Sequence, residues 1–349
     1  MKKNDAKTIN NKNAAAIKKK VVEAPKEKQK SKPVKSINKV NAIDGKHKTQ
    51  KKTKSDIIIT KKPILSNKKR QKVKNVIVIS DTHCGDRMGL MPPKVTLDEG
   101  NVVVQSKMQA EVWKMWLYFW RVWVPKVTKG EDFVIVVNGD IVDGVHHGST
   151  TTVTGNMKDQ RSIAVQCMKL PLSNPKCVGL YMIRGTEVHV GHSGEDEETI
   201  AETLKAIPDE NGNHSRYELW LEFGKKKELI HFTHHVGTTS SAAYESTAVY
   251  KELVEAFNEA GRWQDKPPTI CVRSHRHRVL EVRIPTDSGY GISLVTPAWQ
   301  LRTPFTFRIA MGRSGTPQVG GYLIRDGEED GLYTRFKVWR VQRTKTEIL

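Results

Sequence analysis

From residue 73 onward the chain alternates short runs dense in β-branched residues with longer stretches of helical periodicity. The runs NVIVISD (75–81), DFVIVVNGD (132–140), GLYMIRG (179–185), ELIHFTHH (228–235) and TICVRSHRH (269–277) predict five strands, and 106–124, 158–170, 196–206 and 240–260 predict helices. Val and Ile follow one another in these runs with little polar alternation. Such strands are covered on both faces, which predicts a layered α/β domain. In EVWKMWLYFWRVWV (111–124), Trp113, Trp116, Trp120 and Trp123 recur every three or four residues, the spacing of one helical stripe packed on a core. That stretch is too short to cross a bilayer and carries Glu111, Lys114 and Arg121.

Charge changes the picture for one end only. The 349 residues carry a formal net charge of +20, of which residues 1–72 hold +19, with 23 Lys and one Arg against five acids. The remaining residues are close to neutral. The first 72 have almost no aromatics and no sustained periodicity, so a disordered tail is expected there and a folded domain over 73–349. Clustered lysines release counterions from a polyanion without reading its sequence, so the expected partner of this tail is nucleic acid. Solubilising ballast and an acidic membrane surface are the other readings of a lysine run. The basic start is not followed by an apolar stretch of signal-peptide length, and the four cysteines form no CxxC pair. A reducing cytoplasm, without a membrane span, is therefore expected.

Candidate chemistry gathers where the predicted strands end. The five runs finish in Asp81-Thr82-His83, Asp140-Ile141-Val142-Asp143, Gly185-Thr186-Glu187-Val188-His189, His234-His235 and Ser274-His275-Arg276-His277. Open α/β sheets place ligands at the carboxyl ends of their strands. A lone Asp there is usually a cap, and a lone His usually a hydrogen-bonded packing residue. Five coincidences are hard to assign to capping, and Asp and His converging without Cys make a donor set for a divalent metal.

The ordered boxes DTH, GDIVD, GTEVH, HH and SHRH resemble the signature of the calcineurin-like metallophosphoesterases, written DxH, GDxxD, GNH[DE], H and GHxH, over about 200 residues from Asp81 to His277. The surroundings RGTEVHVGHSGEDEE and TPAW are similar to phage and prophage members, whose setting would be a bacterial cytoplasm. The resemblance implies a four-layer αββα sandwich holding two divalent metal ions, Mn²⁺ first and Fe or Zn²⁺ next. Asp81, His83 and His277 would bind one metal, His234 and His275 the other, and Asp140 both. His235 competes with His234, because strand alternation turns one of the pair into the site. Asp143 has a family counterpart that orients the catalytic histidine, and Arg184 occupies a position from which a guanidinium could grip phosphate or form a surface ion pair. His146 and His147 could line the pocket or simply occupy a loop. Residues 296–349, beginning TPAWQLRTPFTF, are expected to add strands closing the second sheet, with Trp299 in the core.

The third box departs from the pattern. Thr186 stands where the family has its Asn ligand, and Glu187 where it has the His that serves the leaving oxygen. Three readings follow: His189 supplies the imidazole from two residues on, with Thr186 or Glu187 completing the second metal shell; Glu187 is itself a ligand; or the box is dead. The first is favoured, because every other ligand position is kept. The implied activity is hydrolysis of a phosphoester, foremost a phosphodiester in nucleic acid, through a metal-bridging hydroxide. A phosphoprotein phosphatase, a small-molecule phosphodiesterase, and a catalytically degenerate adaptor tethered by the tail are the alternatives.

Overall fold

The computed structural model describes residues 73–341 and Glu347, apart from 147, 238–241, 288, 305 and 308–315. The expected basic tail and His147 lie outside these residues. Two sheets form the frame. The first has the order β13-β12-β1-β4-β5-β6, built from β1 (Asn75–Ile79), β4 (Phe133–Asn138), β5 (Cys177–Ile183), β6 (Ser215–Arg216), β12 (Gln318–Asp326) and β13 (Leu332–Arg340). The second has the order β10-β11-β9-β8-β7, from β7 (Glu218–Phe223), β8 (Glu228–Thr233), β9 (Ile270–Arg273), β10 (Leu280–Thr286) and β11 (Gly289–Val295). A small hairpin, β2 (Lys94–Thr96) with β3 (Val102–Val104), stands apart.

Side-chain alternation along the central strands makes the layers. Ile77 and Ile79 of β1 and Phe133, Ile135 and Val137 of β4 point to one face, while Val76, Val78, Val134 and Val136 point to the other. The first face is covered by α1 (Lys107–Tyr118), the π-helical turn Phe119–Trp123, α2 (Val124–Val127), α3 (Met157–Ser173) and α5 (Glu195–Thr203), through residues such as Trp116, Phe119, Ile163, Met168 and Ile200. The second face meets Ile230, Phe232, Ile270, Val272, Ile292 and Leu294 of the other sheet. Beyond that sheet, α6 (Glu245–Trp263) packs Val249 against Val295, with Leu280 and Val282 alongside. The order is helices, sheet, sheet, helix, so the four-layer α/β sandwich expected from the sequence is the one adopted.

The tryptophan stripe is core. Trp116 is fully buried and meets Trp120 and Trp299 edge to face at 5.4 and 4.7 Å. Ser106 starts this helix with a capping box closed by Gln109. One expectation needs correcting. The strands after residue 296 do not close the second sheet: β12 pairs antiparallel with β1 and β13 with β12, on the first sheet. What completes the second sheet is the hairpin β10–β11, which the polar-apolar pattern before residue 296 had not announced.

Candidate metal centre

β1, β4 and β5 run parallel, as do β8 and β9, so five loops leave the two sheets at neighbouring carboxyl ends. The first two loops are zipped by backbone hydrogen bonds: the amides of Asp81, His83 and Cys84 donate to the carbonyls of Gly139, Asp140 and Ile141, and the Asp143 amide donates to Cys84. Buried polar side chains tie the sheets together beneath. Asn138 Nδ2 donates to the Thr233 carbonyl and to Ser274 Oγ, and Ser274 and Ser80 both meet Thr296 Oγ1, at 2.7 and 2.6 Å.

On this base the structure brings together Asp81, His83 and His277 in one group and Asp140, His234 and His275 in another, the ligand-type atoms of each lying within 4.8 Å of one another. Asp140 also joins His83 and His189 at the same spacing, which puts its carboxylate between the two groups. His234 Nδ1 donates to the Asn138 carbonyl at 2.7 Å, leaving Nε2 to face Asp140 Oδ2 at 2.9 Å. Of the adjacent pair it is therefore His234, buried, that reaches the group; His235 sits at the rim, its ring centre 5.0 Å from that of His275.

The backbone here is strained. Asp81, His83, Asp140, His275 and His277 all take φ between 42° and 71°, the left-handed region that non-glycine residues rarely occupy. Such positions persist only where the surroundings enforce them, and they cluster at functional sites.

Electrostatics and donor chemistry fit divalent cations. Burial alone would raise the Asp81 carboxyl, but His277 and then His234 outweigh it and draw it down to about 2. Asp140 is likewise held well below the usual range by His234 against the opposing effect of burial. Burial would lower His83 and His234, yet the surrounding carboxylates lift them to about 9 and about 10. His83 Nε2 and His277 Nε2 face each other at 3.2 Å, and Asp81 Oδ1 is buried without a hydrogen-bond partner. Facing nitrogens that compete for one proton, with that buried carboxylate oxygen 3.3 Å from His277 Nε2, are the arrangement a cation satisfies.

The GTEVH segment is rebuilt as a helical turn, α4 (Glu187–Val190). Thr186 occupies the place beside the second group: its amide donates to Asp140 Oδ1 at 2.6 Å, and its hydroxyl lies 3.2 Å from both Asp140 Oδ2 and His275 Nδ1. The turn swings His189 inward. Its Nδ1 donates to the Asp143 carbonyl at 2.6 Å, and its ring packs edge-on against His83 and His146 at 4.6 and 4.5 Å. Burial, then the His83 charge, lowers His189 to about 4, so the ring is neutral at neutral pH, beside His83 and Asp140.

These positions bear on three expectations. Glu187 points to solvent and pairs with His192, because the helical turn that brings His189 in carries Glu187 out. Arg184 is taken up by Ser215 Oγ, the Ser193 carbonyl, Glu198 and the Tyr217 ring, so it is the ion-pair reading, not the phosphate grip, that the geometry adopts. Asp143 orients His189 through its backbone carbonyl; its carboxylate faces His83 Nδ1 at 3.3 Å and His146 Nε2 at 3.5 Å instead. Cys84 is buried beside Cys167 and joins none of the metal-type groups among the described residues. Sequence reasoning missed Glu197, fully buried with both oxygens on loop amides, since it stands in the acidic run GEDEE as one helix-start carboxylate among four.

No known family model matches the sequence, and no curated protein does. Solved structures with a similar course include Vps29 of Chaetomium thermophilum (TM-score 0.33, 10% identity, 77% of this chain and 99% of that one). A metallophosphoesterase of Sphaerobacter thermophilus (0.33, 12%, 77% and 89%) and a hypothetical protein of Thermus thermophilus (0.36, 11%, 76% and 99%) are others. At these scores and identities the likenesses decide nothing about activity. The site stands on its own side chains. Among the described residues no helix is long and apolar enough to cross a membrane.

Proposed function

We propose that this protein is a dinuclear metal-dependent phosphoesterase, with a phosphodiester as its foremost substrate. The observation that carries the reading is the position of Asp140, a buried carboxylate shared between a group containing His83 and a group containing His234 and His275. Asp81, His83 and His277 would hold one divalent cation and His234 and His275 the other, with Asp140 common to both and Thr186 Oγ1 beside the second. A His and carboxylate donor set suits Mn²⁺, Fe or Zn²⁺. Two such ions supply Lewis acidity toward a phosphoryl oxygen and toward water.

The chain's own residues supply the rest. Asn138 fixes the His234 ring through its carbonyl, and the Asp143 carboxylate steadies His83. His189, its Nδ1 committed to a carbonyl, offers Nε2 where a leaving oxygen would stand. The ring is neutral in the free protein; the negative charge of a bound phosphoester favours its protonated form, which can donate to that oxygen. We extend the proposal to nucleic acid as the polymer that carries the phosphodiester, held by the +19 charge of residues 1–72.

The test is Mn²⁺-dependent hydrolysis of an aryl phosphodiester by the chain and by Asp140→Ala. Turnover that disappears in the variant supports the enzyme; a chain that binds metal and nucleic acid but turns over no ester under Mn²⁺, Fe²⁺ or Zn²⁺ is the adaptor alternative.

A further inference from the structure

We propose that Glu197 is a positioning residue for the shared carboxylate, fixing the Asp140 loop against the Thr186 loop from the first turn of α5. The assignment rests on the two-metal reading of the site. Glu197 is 0% exposed. Its Oε2 accepts from the Gly185 amide at 2.7 Å and its Oε1 from the Ile141 amide at 3.2 Å. Ile141 follows Asp140 directly and Gly185 precedes Thr186, whose own amide donates back to Asp140 Oδ1 at 2.6 Å. The contacts close a ring: Asp140, Ile141, Glu197, Gly185, Thr186, and Asp140 again. A movement of either loop must break one side of it.

The three neighbouring acids are used otherwise. Glu195 accepts from the Ser193 amide, Asp196 pairs with Arg161, and Glu198 accepts from the amides of His214 and Ser215. Glu197 alone of the four accepts from the backbone of the Asp140 and Thr186 loops; Glu198 reaches only the Arg184 side chain where the second of these loops begins. Its anchor is rigid, since Ile200 and Ala201 on the same helix are fully buried in the core. Burial and then the Asp140 charge push the Glu197 carboxyl up to about 8 against the pull of the two amides, and each of its oxygens still accepts from an N–H that only an acceptor can serve. A glutamine would turn an NH₂ group onto one of those N–H donors and release one loop.

The experiment compares full-length wild type, Glu197→Gln, Glu197→Asp and Glu198→Gln. Each is stripped of metal, melted, then titrated calorimetrically with Mn²⁺ and assayed for turnover. Glu198→Gln loses as many backbone contacts on the same helix turn, from His214 and Ser215 and none from the Asp140 or Thr186 loop, its pairing with the Arg184 side chain aside. We expect Glu197→Gln to weaken the looser Mn²⁺ step by about 10–100-fold, the range for residues that orient metal ligands. Excess Mn²⁺ should return its turnover toward wild type. Glu198→Gln should lower the melting temperature of the metal-free protein and leave Mn²⁺ affinity unchanged.

Mn²⁺ affinities equal to wild type in Glu197→Gln would overturn the assignment, whatever happens to its melting temperature. Should that variant fail to fold, Glu197→Asp, too short to reach both amides, must show the same selective weakening, and unchanged Mn²⁺ binding there overturns the proposal. A wild type that takes up fewer than two Mn²⁺ sinks the two-metal reading and this assignment together, and is told apart because it appears before any variant is made.

Discussion

Replacing His189 by alanine isolates the residue on which the rebuilt third box depends. The ring is held at three points: its Nδ1 on the Asp143 carbonyl, and edge-to-face contacts with the rings of His83 and His146. It is therefore aimed before any substrate arrives, and a positioned imidazole is worth about 10²–10⁴ in rate. At about 1.36 kcal/mol per tenfold, the barrier should rise by roughly 3–5 kcal/mol. The structural cost is smaller. The variant leaves one carbonyl without its donor, about 1–3 kcal/mol. The metals should stay, because Asp81, His83, His277, Asp140, His234 and His275 are untouched.

Two esters separate chemistry from damage. For a nitrophenyl phosphodiester, whose leaving oxygen needs little help, the loss should be small. For an alkyl phosphodiester, whose leaving oxygen must gain a proton, it should reach the full range. Equal turnover of variant and wild type on the alkyl ester, or equal losses on both esters with a matching loss of metal, would refute the role given to His189.

Gly185→Ala should separate the two loops directly. A Cβ there would meet Asp140 Oδ1 at 2.1 Å and the Asp140 amide nitrogen at 2.3 Å, so the carboxylate must move, at about 1–3 kcal/mol for an overpacked site. Metal analysis should find fewer than two ions per chain, and a variant with full metal content would show that the approach is not needed. Metal uptake should also release protons. His83 and His234 are lifted from 6.5 to about 9 and about 10, so both are charged at pH 7 in the metal-free protein and must become neutral to ligate. Calorimetry in buffers of different ionisation enthalpy should count about two protons released at pH 7. The same shifts stabilise the metal-free fold fully below about pH 6.5, and that contribution disappears as the pH rises through 9 to 10. Melting temperatures of chelated protein that stay level from pH 6 to 10 would contradict these assignments.

Much of this was legible in the sequence, for stated reasons. Continuous Val and Ile runs announce strands buried on both faces, and Asp81, Asp140, His234 and His275 stand just past those runs, so strand pattern and ligand chemistry pointed to one end of the sheets. The Trp113–Trp123 stripe gave its core face away by spacing. What the sequence did not carry is conformational. Nothing in the residue types of Asp81 or His277 foretells a left-handed φ, which the packing of the loops imposes. Glu187 and His189 could not be separated by spacing, because which of them faces inward depends on a helical turn only four residues long. Glu197 was hidden by its neighbours, since four successive acids at a helix start read as dipole complements. Pairing across sheets was out of reach too: β12 joins β1 across some 240 residues, and no local pattern states which sheet a late strand enters.

The central claim, a site for two metals around Asp140, is tested most directly by counting metal. Wild type and Asp140→Ala, each purified without chelator and equilibrated with Mn²⁺, would be compared by elemental analysis. The account predicts two Mn²⁺ per wild-type chain and fewer than two in the variant. Equal metal content in the two proteins, or fewer than two ions in the wild type, would contradict it.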